Sequence, residues 1–243
     1  MMKSLVRTAR AVLPQFIKKP VKRFLTALLS EGPDQNWHRN AVGGMWEEIG
    51  KLQFEFLVAQ GLKPSHYLLD VGCGSLRGGS HFIRYLEAGH YFGIDQSQEI
   101  LEAGRNIELV NQNLLGKKPV LVQMGDFEFP SLDQQFDFAL AQSVFTHLPL
   151  NNIIRCMMKM EKVLVRGGRF YATIFENPRG KLNLDPIVRS KAEGQDFTYF
   201  DKDCFHYDVE TFRWICQGTS LSVKYIGEWN HPRDQMMLVF EKA

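Results

Sequence analysis

Three aspartates in this chain each follow a short apolar run, and the first leads directly into a glycine-rich turn. In "LLDVGCGSLRGG" (68–79), Asp70 stands two residues before Gly72, and Gly74 follows. Such turns let a backbone approach a nucleotide closely. Two common nucleotide loops fail here. The dinucleotide pattern G-x-G-x-x-G would need glycine at Arg77, and no G-x-x-x-x-G-K-[ST] occurs anywhere. A carboxylate at Asp70 would repel phosphates and would suit a cation. The turn therefore predicts a ligand that carries positive charge and no phosphate.

The other two acids extend that reading. Asp95 closes "YFGID", where a carboxylate can hydrogen-bond both hydroxyls of a ribose. Asp126, in "VQMGDFEFP", can accept from an adenine amino group while the ring packs on apolar side chains beside Phe127. An amino-acid cation, a ribose and an adenine together describe S-adenosylmethionine.

The elements that must position these residues alternate from residue 66 onward. Apolar runs "HYLLDV", "HYFGID", "PVLVQM", "FDFALAQ" and "GRFYATIF" read as strands. Helical segments separate most of them, including "SQEILEAGRNIELVNQN" with Ser97 as its N-cap. The alternation predicts a parallel sheet with helices on both faces. The end of the chain departs from it. After the helix "DVETFRWICQG", the runs "LSVKYIGEW" and "DQMMLVFEK" are joined by only "NHPR". That link is too short for a parallel crossover, so the last strand should run antiparallel. Residues 41–60 read as a helix, and residues 176–207 show no clear period. A segment so long in a compact domain usually carries function. The expected architecture is an α/β, Rossmann-like, seven-stranded sheet, mostly parallel, with an antiparallel last strand.

Composition sets the outer bounds. The 243 residues are 44% hydrophobic and 23% charged, enough for one globular core. No apolar run is long enough to cross a bilayer. Cys73, Cys156, Cys204 and Cys216 show no paired spacing and read as thiols of a reducing compartment. The net charge of +2 hides an asymmetry. Residues 1–30 hold Lys3, Arg7, Arg10, Lys18, Lys19, Lys22 and Arg23 and no acid, so the remainder is net negative. Apolar residues interleave with these bases, and Pro14 and Pro20 interrupt them. The arm suits an anionic membrane surface, packing on the domain, or targeting. A division into an arm and linker (1–35) and a catalytic domain (36–243) follows.

These features closely resemble the class I S-adenosylmethionine-dependent methyltransferases. The resemblance rests on "LLDVGCGSLRGG", "YFGID", "MGDF" and "FDFALAQSVFTHL", and covers roughly residues 41–243. It implies S-adenosylmethionine as cofactor, held by Asp70, Gly72, Cys73, Gly74, Asp95, Gln96, Asp126, Phe127 and Gln142. One position departs from the family pattern: Leu76 stands where a third glycine is usual. The "SVFTHL" segment is most like small-molecule methyltransferases of bacterial secondary and cell-envelope metabolism. His147, after the fourth strand, becomes the candidate base for a hydroxyl acceptor. Tyr199, His206 and His231 are expected at the same rim, with Trp46 as a lid, and together form the candidate substrate site. No metal is expected at these irregularly spaced histidines.

The acceptor is narrowed by what is missing. No [DNS]-P-P-[YFW] follows the fourth strand, and no Pro-Cys nucleophile stands there. An acidic body without a basic aromatic patch argues against nucleic acid. The expected activity is methyl transfer to a small-molecule, glycan or lipid-linked acceptor, at oxygen. The expected location is cytoplasmic, at the inner membrane face if the arm binds lipid. A nitrogen or carbon methyltransferase, or a non-catalytic cofactor-binding scaffold, is the alternative.

Overall fold

The computed structural model describes residues 36–178, 184–191 and 194–243. The basic arm and its linker lie outside the described residues.

Two short helices come first, α1 (Trp37–Ala41) and α2 (Trp46–Ala59). The helix expected over 41–60 is α2, which starts only at Trp46, after Gly43 and Gly44, both of positive φ. The alternating core follows: β1 (Leu68–Val71), α3 (Gly79–Tyr85), β2 (Tyr91–Asp95), α4 (Gln98–Ala103), α5 (Leu109–Asn111), β3 (Val120–Gln123), β4 (Phe136–Ala141), α6 (Leu150–Val163) and β5 (Leu164–Glu176). Ser97 caps α4 as expected, its hydroxyl accepting from the Ile100 amide at 3.3 Å. One π-helical stretch, Gly104–Glu108, joins α4 to α5 and interrupts the single helix read from the sequence.

The remaining elements are β6 (Ile187–Lys191), β7 (Gly194–Thr198), β8 (His206–Tyr207), α7 (Val209–Cys216), β9 (Leu221–Gly227) and β10 (Met236–Lys242). The main sheet runs β3-β2-β1-β4-β5-β10-β9. β1 to β5 are mutually parallel, and β10 is antiparallel to both β5 and β9. The last strand is therefore the reversed one, as the short link required. The aperiodic segment is more ordered than its pattern suggests: β6 and β7 form an antiparallel hairpin, and β8 adds to the end of β5.

All four residues of β1 are buried, because strands flank it on both sides and the sheet is covered on both faces. Leu69 and Val71 enter one core with Phe145, Met157 and Phe170. Leu68 enters the other with Leu57, Phe82 and Tyr171. Strand order reverses direction between β1 and β4, so the chain leaves these neighbours on opposite faces. A crevice opens there, outside the carboxyl ends of the strands.

Candidate active site

A cleft of about 920 Å³ occupies that crevice. Its floor is the turn after β1. Gly72 and Gly74 hold φ of +69° and +57°, which glycine adopts without steric cost. A Cβ on Gly72 would lie 2.5 Å from Val144, and one on Gly74 would lie 2.7 Å from Val42. The missing side chains thus let two walls close on the turn. Leu76 also takes a left-handed conformation, φ +75°. Its side chain is fully buried, packing against the glycines at 79 and 104. Burial of the leucine offsets the backbone strain at this position.

The carboxylates are held distinctly. Asp95, at the end of β2, accepts from the Gly74 amide at 3.0 Å and the Ser97 amide at 2.9 Å. Both oxygens are fixed, and each keeps a lone pair for a ligand hydroxyl. Burial raises its pKa, with the backbone hydrogen bonds opposing. Asp70 is more deeply buried and accepts from the Tyr91 hydroxyl at 2.7 Å. Burial pushes it up to about 7, aided by Asp95 and opposed by that hydrogen bond and by Arg77. A buried acid of this kind favours a cationic ligand.

A polar network forms the inner wall. Gln142 Oε1 accepts from Arg77 Nη2 at 2.8 Å and from Gln53 Nε2 at 3.0 Å. Its Nε2 donates to the Ser143 hydroxyl at 2.6 Å and lies 3.0 Å from His231 Nε2. Arg77 Nη1 donates to the carbonyls of Val42 and Gly44. The guanidinium therefore ties the α1–α2 connection to the cleft. Burial and neighbouring Arg233 lower its pKa to about 10, with Asp70 opposing.

At the open end stands the turn Phe145–His147. His147 Nδ1 lies 2.6 Å from Asp203 Oδ1 and 3.7 Å from Cys204 Sγ. These three residues offer ligand atoms all within 4.8 Å of one another, the set among the described residues with metal-ligand grouping.

The structure gathers Asp70, Gly72, Cys73, Gly74, Asp95, Gln96, Phe127, Gln142 and His147 around the cleft. Asp126 stands exposed beside Phe127, just outside the lining. The four expected substrate residues are placed elsewhere, and their convergence with His147 does not form. His206 is buried in β8, its Nδ1 3.3 Å from the Thr198 hydroxyl. His231 stacks on Trp229 and sits behind Gln142. Tyr199 packs under Lys202, and Trp46 under Arg39. None of the four is among the residues that line the cleft. Val42, Gly43, Gln53, Phe197, Arg233 and Gln235 line the cleft and were not picked out from the sequence. Of these, only the glycine pair near Val42 carried a local signal.

A family model described as a methyltransferase domain matches residues 69–172. That span runs from β1 to the middle of β5 and includes every cleft carboxylate named above except Asp203. The chain carries a methyltransferase domain with the Rossmann-like fold. S-adenosylmethionine is the methyltransferase's cofactor. Solved structures share its fold. Magnesium protoporphyrin IX methyltransferase from Synechocystis, with S-adenosylmethionine bound, matches with a TM-score of 0.58 at 13% identity, over 88% of this chain and 86% of that one. The CcbJ methyltransferase from Streptomyces caelestis matches with a TM-score of 0.61 at 17% identity, over 88% of this chain and 100% of its own. An S-adenosylmethionine-dependent methyltransferase from Clostridium acetobutylicum gives 0.61 at 12% identity, over 84% and 94%.

The residues present fit such a cofactor. Two glycines leave the turn open, a doubly anchored carboxylate keeps lone pairs that suit a vicinal diol, and a buried acid and a buried guanidinium suit an amino acid's two charges. Among the described residues, no helix is long and apolar enough to cross a membrane.

Proposed function

We propose that this methyltransferase transfers its methyl group to a hydroxyl oxygen of a small-molecule, glycan or lipid-linked acceptor, with His147 as the base. The observation that carries the reading is the position of His147. Among the described residues it is the histidine that lines the cleft, and it does so at the exposed end where an acceptor can enter.

The cofactor seat is assigned by chemistry. Asp95 would take the ribose hydroxyls, and Phe127 would pack the adenine with Asp126 at its rim. Asp70 would meet the amino-acid cation, and Arg77 and Gln142 the rest of the methionine end. S-adenosylmethionine, held there, would supply an electrophilic methyl carbon for the acceptor oxygen, its sulfur keeping the carbon–sulfur electron pair. Charge is dispersed in such a displacement, so positioning carries much of the catalysis. His147 removes the acceptor's hydroxyl proton, which an oxygen nucleophile must lose.

Two assays test the reading. Calorimetry with S-adenosylhomocysteine should show binding that Asp95→Ala abolishes; no binding by the intact protein would overturn the cofactor seat. A panel of glycans, glycolipids and small hydroxylated metabolites, assayed with labelled methyl donor, should yield an acceptor whose turnover falls about 10²-fold or more in His147→Ala. Unchanged turnover on that acceptor in the variant would overturn the assignment of His147 as base. The basic arm is proposed to hold the enzyme on anionic membranes. Removing residues 1–30 should then release it from phosphatidylglycerol vesicles, and retention would point to the body.

A further inference from the structure

We propose that Asp203 is the positioning residue of His147, fixing its imidazole so that Nδ1 carries the proton and Nε2 offers the basic lone pair to the acceptor. This rests on the hydroxyl-methylation reading, in which His147 acts as base.

The contact itself is short and direct. His147 Nδ1 and Asp203 Oδ1 are 2.6 Å apart, and both residues line the cleft. An ionised carboxylate only accepts, so the shared proton belongs to Nδ1 in the neutral ring. The bond made by one ring nitrogen decides which nitrogen is left as acceptor. Nε2 is then the one ring atom able to take a proton from an incoming hydroxyl.

The backbone shows why this pair keeps its geometry although both side chains are exposed. The two segments are joined a second time, by the Phe205 amide donating to the Thr146 carbonyl at 2.7 Å. The loop bearing Asp203 is closed on itself, with the Tyr199 amide on the Cys204 carbonyl and the His206 amide on the Tyr199 carbonyl. Immediately after it, β8 pairs with the end of β5, at Phe175 and Glu176. His147 sits on a tight turn whose own amide donates to the Val144 carbonyl. An aspartate and a histidine 56 residues apart are thus presented to each other by two anchored turns. Stability does not account for the pair, because exposed ion pairs contribute little to it.

Cys204 completes a set that could in principle ligate an ion. The 2.6 Å separation argues otherwise. Two ligand atoms of one tetrahedral zinc stand about 3.3 Å apart, given bonds of about 2.0–2.1 Å. Nδ1 and Oδ1 are in hydrogen-bond contact instead.

The test reads the tautomer and needs no acceptor. The 15N-labelled protein, saturated with S-adenosylhomocysteine at alkaline pH, is examined by long-range 15N–1H correlation, with the His147 signals assigned by their loss in His147→Gln. The wild type should show Nδ1–H and a bare Nε2. Asp203→Ala should shift the ring to Nε2–H, and Asp203→Glu should restore Nδ1–H. An Nε2–H ring in the wild type, or no change in Asp203→Ala, overturns the proposal. So does stoichiometric Zn²⁺ binding that Cys204→Ser abolishes and that turnover requires. With an acceptor from the panel, Asp203→Ala should lower kcat at least about tenfold with little change in KM. It should add no further loss in a His147→Ala background; a full, additive loss there overturns the coupling. Normal turnover in His147→Ala, with the tautomer as stated, removes the base reading alone and is told apart by that pattern.

Discussion

The amide oxygen of Gln142 accepts a 2.8 Å hydrogen bond from Nη2 of Arg77, both residues buried at the inner wall of the cleft. The same guanidinium holds the Val42 and Gly44 carbonyls. One side chain therefore links the turn after β1, the end of β4 and the connection that leads into α2. Replacing it with leucine leaves those carbonyls without their donor. Arg77→Leu should cost about 1–3 kcal/mol in urea unfolding and weaken S-adenosylhomocysteine binding. Arg77→Lys should recover only part of both, because an ammonium cannot reproduce the fork. Equal stability and affinity across all three proteins would show that the network is incidental.

The Asp70 carboxyl predicts a pH dependence. Burial chiefly raises its folded value to about 7 from the ordinary 3.8. Between those two values the folded protein holds a proton that the unfolded chain has lost. Stability of the ligand-free enzyme should therefore fall as pH rises from about 4 to 7 and level off above, with a slope of at most about 1.4 kcal/mol per pH unit. A cationic ligand prefers the ionised form. Binding of S-adenosylhomocysteine, through its ammonium, should strengthen as pH rises through 7 and release protons there. Calorimetry in buffers of different ionisation enthalpy measures that release. Asp70→Asn should flatten both profiles; persistence of either in the variant would assign the dependence to another group.

Gly74 is constrained twice. Its φ is +57°, and a Cβ there would stand 2.7 Å from Val42 Cγ1. Gly74→Ala should destabilise the fold by about 1–2 kcal/mol from the backbone alone. It should also displace the Val42 wall and the amide that anchors Asp95, weakening cofactor binding. Thermal melts and calorimetry check the two effects separately. An alanine variant with wild-type affinity would show that the close approach of Val42 is dispensable.

Glu108 anchors α1 from below. Its buried carboxylate lies 2.7 Å from His38 Nε2 and accepts from Arg39 at 2.7 and 3.0 Å. A carboxylate only accepts, so His38 carries its proton on Nε2, which leaves its buried Nδ1 without a partner. Burial alone would raise the Glu108 pKa, but the bonds from Arg39 and His38 outweigh it and lower the value. The stabilisation is present at neutral pH and disappears as pH falls through the lowered folded value. Glu108→Gln should destabilise by about 2 kcal/mol at pH 7, and the gap should narrow on acidification below the ordinary glutamate value of 4.5. A gap that is constant with pH would mean the carboxylate's charge is not what matters.

The sequence by itself determined the sheet and which carboxylates and glycines meet at the cleft floor. Strand and helix periods are local, so β1 to β5, the Ser97 cap and the reversed last strand are legible along the chain. Asp70, Gly72, Gly74 and Asp95 are legible for the same reason: each sits at a fixed offset from a strand end, and the strand's direction carries it to the cleft. Only the tertiary structure decided what surrounds His147. His206 and His231 lie near His147's rim by topology, yet β8 pairing and the Trp229 stack turn them away from the cleft. Asp203 and Gln53 left no periodic trace, because nothing local says which way a loop side chain will face. Leu76 shows the same division. Its type marked a break in the glycine pattern, but only packing against the glycines at 79 and 104 showed how a leucine is held with positive φ. Periodicity and offset are properties of neighbouring residues, whereas convergence is set by contacts between residues far apart in the chain.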